Sequence, residues 1–163
     1  MPLIFVSHAT KDHDFIDRIE KRLNEAGIDV WLDHRNMKPS DDFDETIQQA
    51  MLACDGMIFA ASPNSIATPE CHSEWRYLLA LKRAGYAKTL YTAVIEPVTL
   101  EKFPYRLLIE QYADLHRDFE GGMTALIDAI KGGREVLPKE STAVRSFVPV
   151  IGIERMDDPD ALR

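Results

Sequence analysis

Apolar residues recur along this chain in two alternating rhythms. Leu3-Ile4-Phe5-Val6 is a continuous apolar run, as expected of a strand buried on both faces of a parallel sheet. Phe15, Ile16, Ile19, Leu23 and Ala26 then recur at spacings of three and four, predicting an amphipathic helix with Gly27 at its C-cap. Ile28 to Leu32 reads as a second buried strand, ended by Asp33. After the polar stretch from His34 to Pro39, Ser40 with Asp41 and Asp42 predicts a helix start, and Phe43, Ile47, Ala50 and Met51 mark one face of that helix. Cys54-Asp55-Gly56 stops it, Met57 to Ala61 is a third strand, and Ser62 to Ser65 reads as a loop. Thr68-Pro69-Glu70 is the clearest helix start in the chain, opening a helix that runs to about Ala84. Leu90 to Ile95 and a short run near Gln111 to Leu115 supply two more strands, and Met123 to Ile130 a last helix between glycine pairs. Strand and helix alternate throughout. The expected fold is therefore α/β: a flavodoxin-like, doubly wound, five-stranded parallel sheet with helices on both faces.

That alternation ends before Arg134. Residues 1–133 are expected to form one domain, and residues 134–163, interrupted by Pro149 and polar from Met156 onward, a C-terminal linker or docking tail. Lys+Arg 19 against Asp+Glu 27 gives a net charge of −8, so the surface repels polyanions and direct nucleic-acid binding is not expected. No apolar run approaches the ~20 residues that span a bilayer. Two cysteines, Cys54 and Cys71, are too few for a disulfide framework and, like the five histidines, lack metal-ligand spacing. The expectation is a cytoplasmic protein with no membrane segment and no metal.

In an open parallel sheet, ligands bind beyond the carboxyl ends of the strands, where strand order reverses. That rule selects Ser7-His8, Asp33-His34-Arg35 and Ser62-Pro63, with the helix start at Thr68 above them. This helix holds an anomaly. At ~100° per residue, Glu74 falls inside the apolar stripe of Cys71, Trp75, Leu78 and Leu81, while Glu70, Arg76 and Arg83 fall outside it and Lys82 can snorkel. A carboxylate in such a stripe is either paired structurally or turned toward a cleft where it acts. No glycine-rich phosphate fingerprint follows the first strand, so a Rossmann or P-loop nucleotide site is not supported.

Five segments in order, Ile4-Phe5-Val6-Ser7-His8 with Lys11-Asp12, Val30-Trp31-Leu32-Asp33, Cys54-Asp55 with Ile58, Ser62-Pro63-Asn64-Ser65, and Cys71-His72-Ser73-Glu74-Trp75, resemble the successive motifs of a TIR (Toll/interleukin receptor/resistance) domain of bacterial type. The resemblance spans roughly Pro2 to Gly132. It implies a flavodoxin-like fold and, as in many bacterial and plant members, NAD+ nucleosidase activity, with NAD+ as substrate and no cofactor. In enzymatic members an essential glutamate follows a cysteine by three positions, which Cys71 and Glu74 match; Glu74 is thus the expected catalytic residue. The loop that usually carries Pro-Gly here reads Pro39-Ser40, and Arg35 matches the family's basic residue in that loop. The resemblance also implies self-association through TIR–TIR contacts, a fused or separate sensor or effector, and a role in antiphage defence or cell suicide.

A single carboxylate suits that reaction. Nicotinamide carries a positive ring and leaves neutral, so no general acid is needed, and the task is to stabilise an oxocarbenium-like ribose. Ser7, Lys11, Arg35 and Ser62 are candidate contacts for ribose or pyrophosphate, and Trp31 or Trp75 for stacking a base. His8, Asp33 and Cys71 are further candidate substrate contacts, and several of the candidates have a plainer alternative. The tryptophans suit core packing, His8 a structural hydrogen bond, Asp33 a turn, Ser62 a cap beside Pro63, and Cys71 packing in the first helical turn. Two other functions compete: a non-enzymatic TIR–TIR scaffold acting through residues 35–40, and a nucleoside deoxyribosyltransferase on a similar fold, which the Val30-Trp31-Leu32-Asp33 and Cys54-Asp55 segments disfavour.

Overall fold

The computed structural model describes residues 1–33, 42–109 and 111–132. Five parallel strands, β1 (Leu3–Ser7), β2 (Asp29–Trp31), β3 (Gly56–Ala61), β4 (Thr89–Val94) and β5 (Gln111–Asp114), form one sheet in the order β2-β1-β3-β4-β5. This is the expected doubly wound sheet, with its order reversing between β1 and β3. Register is fixed there by Val6 opposite Ile58 and Ser7 opposite Phe59. Gly56 starts β3 because a Cβ at that position would meet the Thr89 carbonyl oxygen at 2.6 Å.

The helices are α1 (His13–Glu25), α2 (Phe43–Ala53), α3 (Pro63–Ile66), α4 (Pro69–Arg83), α5 (Tyr105–Ile109) and α6 (Phe119–Gly132). Ile16, Ile19 and Leu23 of α1 and Met123 and Leu126 of α6 pack against Ile4, Val6 and Ile58 on one face of the sheet. Ile47 and Met51 of α2 and Cys71, Trp75 and Leu78 of α4 pack against Phe5, Met57 and Phe59 on the other. Each fully buried large side chain contributes ~1.5–3 kcal/mol, so the two layers hold the sheet between them. Gly27 (φ 81) ends α1 as expected: it donates to the Asn24 carbonyl and Ile28 to that of Leu23, a Schellman closure that Gly85 (φ 103) and Tyr86 repeat after α4.

Several local expectations change. The Ser62–Ser65 stretch is not an open loop. It starts the one-turn helix α3, with Ser62 and Ser65 in a reciprocal capping box. Thr68 precedes α4 but its side chain does not cap it; the hydroxyl donates instead to the Asn64 carbonyl (2.8 Å). Phe43 leaves the buried face of α2 and is 51% exposed, while Ile47, Ala50 and Met51 stay inside. Asp42 caps α2 by accepting from the Glu45 amide (2.9 Å). Ser40, the Pro39-Ser40 pair, Arg35 and the tail 134–163 lie outside the described residues. Among the described residues no helix is long and apolar enough to cross a membrane, and no group of three or more His, Cys, Asp or Glu is placed to hold a metal ion.

Candidate active site

Strand β1 ends at Ser7, at the point where sheet order reverses, and α4 crosses above it with Glu74 turned inward. The Ser7 hydroxyl donates to Glu74 Oε1 at 2.6 Å, linking residues 67 positions apart in the chain. Ser7 is fully buried and Glu74 is 9% exposed. No cation among the described residues lies within ion-pairing distance of Glu74. Burial pushes its pKa up from 4.5 to about 7; the Ser7 hydrogen bond opposes the rise, while the negative charges of Asp33 and Glu70 add to it. A carboxyl so poised changes charge near neutral pH.

Glu74 lies at the wall of a cavity of about 310 Å³ between α2 and α4. Ile47, Met51 and Tyr77 supply apolar surface, and Glu70 and Asp44 supply further negative charge. Phe43 lines the same space, which accounts for its exposure: it covers a cavity rather than the core. The site therefore combines an inward carboxylate, aromatic walls and a surplus of acid, an environment that favours a planar, positively charged ligand.

Cys71 sits one turn before Glu74, buried at 2% exposure. Burial, followed by the charge of Glu74, pushes its thiol up to about 12, with the Ser7 hydroxyl pulling the other way and Asp33 and Glu70 adding to the rise. A thiol in that state is neutral at physiological pH and is no nucleophile. Ser7, Asp33, Cys71 and Glu74 are thus one electrostatic group, gathered from β1, the end of β2 and α4.

The remaining expected residues stand apart from this cavity. Ser62 donates to Asp12 Oδ2 (2.6 Å) while accepting from the Ser65 amide (3.1 Å), so its hydroxyl is occupied in tying α3 to the turn before α1. His8 is half-buried, 5.2 Å ring to ring from His13, with Nδ1 3.4 Å from the Val6 carbonyl. Lys11 is exposed on the 3-10 turn Thr10–Asp12. Trp31 stacks on Phe5 with centroids 4.9 Å apart. Trp75 turns to the opposite flank of α4, where its indole N–H donates to His72 Nδ1 (3.1 Å); His72 Nε2 in turn lies 2.6 Å from the Ile66 carbonyl. Phe43, Glu70, Ser73 and Tyr77 were not anticipated from the sequence, although Glu70, Ser73 and Tyr77 fall on the Glu74 side of α4 in the same helical count.

A doubly wound 2-1-3-4-5 sheet carrying a buried carboxylate at its switch point defines a class of α/β domains whose site lies at the carboxyl ends of the strands. The chain belongs to the TIR domain family, whose profile matches residues 4–127. Among solved structures, it is similar to the TIR domain of the Toll-related receptor TRR-2 from Hydra magnipapillata, with TM-score 0.66 and 21% identity over 78% of this chain and 97% of that one. It is also similar to the TIR domains of the activated Roq1 resistosome that recognises the pathogen effector XopQ, with TM-score 0.60 and 14% identity over 82% of this chain and 99% of that one. No curated protein sequence matches it significantly.

Proposed function

We propose that this TIR domain is an NAD+ nucleosidase that cleaves the bond between nicotinamide and ribose, with Glu74 as its catalytic carboxylate. The observation that carries the reading is Glu74 itself: buried, hydrogen-bonded on one oxygen by Ser7, without a cationic partner among the described residues, and at the wall of an open cavity. NAD+ brings a positively charged pyridinium ring, which the acids Glu70, Glu74 and Asp44 attract and Phe43 and Tyr77 can stack.

In the proposed step the C1′–N bond breaks and its electron pair passes to the ring nitrogen, so nicotinamide leaves neutral. The ribose is left as an oxocarbenium ion. The ionised Glu74, itself largely buried, stabilises that cation, because a charge fixed in a partly protein-lined setting acts more strongly than in bulk solvent. Ser7 holds the carboxylate in place. Water attacking C1′ and losing a proton gives ADP-ribose; attack by a nucleophile within the same molecule gives a cyclised product. Arg35, Lys11, His8, Asp33 and Cys71 remain proposed substrate contacts, whereas the Ser62 hydroxyl is committed to Asp12 and Ser65 and Trp75 faces the other flank of α4, so neither keeps that role. The same reading includes a cytoplasmic setting, antiphage or cell-suicide signalling, and self-association with other TIR domains; the Roq1 neighbour is itself a resistosome.

The test is incubation of purified protein with NAD+ at high protein concentration, with nicotinamide and the ribosyl product identified by mass. Turnover giving ADP-ribose, or a cyclised product lighter by one water, is expected. A scaffold-only domain, the competing reading, would assemble without releasing nicotinamide at any concentration.

A further inference from the structure

Helix α4 has a second cavity on its other flank. Arg76, Leu79 and Arg83 recur at spacings of three and four along one stripe, roughly 160° around the helix from Glu74 when counted from Arg76 to Glu74 at ~100° per residue. With Trp75 behind them and Tyr105 and Arg106 of α5 opposite, they enclose about 410 Å³. Three guanidinium groups thus line one concavity of a protein with net charge −8, and none of the described residues lining it is acidic. Arg76 lies over the Trp75 ring, 5.3 Å from its centroid, and Arg106 over the Tyr105 ring at 5.6 Å. Ring contacts of this kind orient a guanidinium while leaving its N–H donors available. None of the three arginines forms an ion pair with a described residue. Like charges brought together without counter-ions are unfavourable, and an anion with several acceptor oxygens relieves that cost by bidentate bonding.

We propose that the cavity between α4 and α5 is a binding site for a phosphorylated small molecule, with Arg76, Arg83 and Arg106 holding its phosphates and the exposed Tyr105 ring offering a surface for a base. Nucleoside diphosphates and inorganic pyrophosphate share the chemistry this site recognises. The site is separate from the Glu74 cavity and does not depend on what Glu74 does. Its position carries a consequence: Trp75 forms part of its wall and directly follows Glu74 in the chain, so an occupant touches the helix that positions the carboxylate.

The experiment is titration of the full chain with ADP, inorganic pyrophosphate and adenosine, by calorimetry and by following the two indole N–H resonances. ADP and pyrophosphate are expected to bind, adenosine at least ~10-fold more weakly, and the Trp75 indole signal to shift while that of Trp31 stays. Arg83→Gln and Arg106→Gln each lower pyrophosphate affinity ~10-fold or more, the loss of a charge-assisted hydrogen bond. Both changes are at the surface or half-buried, and circular dichroism verifies the fold; Arg76→Gln serves as a third, independent variant. Absence of pyrophosphate and ADP binding overturns the proposal. So does binding that persists undiminished in all three variants, which would place the ligand elsewhere, including in the Glu74 cavity.

Discussion

Asp12 and Glu74 are both buried carboxylates near the carboxyl edge of this sheet, and their surroundings differ. Asp12, 6% exposed, has both oxygens engaged: Ser62 donates to one at 2.6 Å and Asn64 to the other at 3.0 Å. Glu74, 9% exposed, is bonded on one oxygen only, lies among other acids and borders a cavity. The first arrangement fastens α3 to the turn before α1. The second keeps a carboxylate in an environment that raises its energy when ionised, which a folding requirement alone does not explain. A buried acid is therefore informative through what it leaves unsatisfied.

The largest expected effect is on stability against pH, through Glu74. The folded-state pKa of Glu74 is raised from 4.5 to about 7, so the folded protein retains a proton that the unfolded chain releases. That contribution is fully present below pH 4.5 and is lost as pH rises through 7, by at most ~3 kcal/mol. Glu74→Gln removes the loss: the variant equals wild type near pH 4.5 and exceeds it at pH 8 in thermal denaturation. A steeper fall in the variant than in wild type contradicts the assignment.

Asp12→Ala acts in the opposite sense. It strips the buried Ser62 hydroxyl of its acceptor and leaves Asn64 without one, at a cost of ~2 kcal/mol measured by urea denaturation at pH 7, while nicotinamide release per folded molecule stays near wild type. Unchanged stability would mean that the Asp12 network is not a fastening.

Ser7→Ala removes the hydrogen bond that holds Glu74 and opposes its raised pKa. Nicotinamide release falls ~10-fold, and the rising limb of its pH profile moves to higher pH, because a less stabilised carboxylate ionises later. A profile left in place would detach Ser7 from Glu74. The smallest effect belongs to Cys71, whose thiol is pushed up to about 12. At pH 8 iodoacetamide leaves it unmodified in the folded protein, as intact mass reports; rapid alkylation would contradict a buried, protonated thiol.

Much of this was legible in the sequence because burial on both faces leaves a simple trace. Continuous apolar runs such as Met57 to Ala61 exist only where helices cover both sides of a strand, and their alternation with amphipathic stretches fixes the topology to a few choices. Glu74 was visible for a related reason, since one acid in an apolar stripe breaks a regular count. Ser62 was ambiguous, since capping and ligand contact need the same hydroxyl, and its local partner Ser65 is what distinguishes them. Phe43 reads as core by periodicity, and only the tertiary placement of α2 beside α4 shows that it faces a cavity. Arg76 and Arg83 read only as charges outside the apolar stripe of α4, because their convergence with Arg106 requires α5 to lie against α4.

The central claim is that Glu74 is held in its buried position for chemistry. Nicotinamide release from NAD+ at pH 8, measured side by side for wild type and Glu74→Gln with both shown to be folded, tests it most directly. The account predicts a loss of at least ~100-fold in the variant, the scale of removing a principal electrostatic stabiliser of a transition state, with a melting temperature equal to or above that of wild type. Equal rates of release from the two proteins would contradict it.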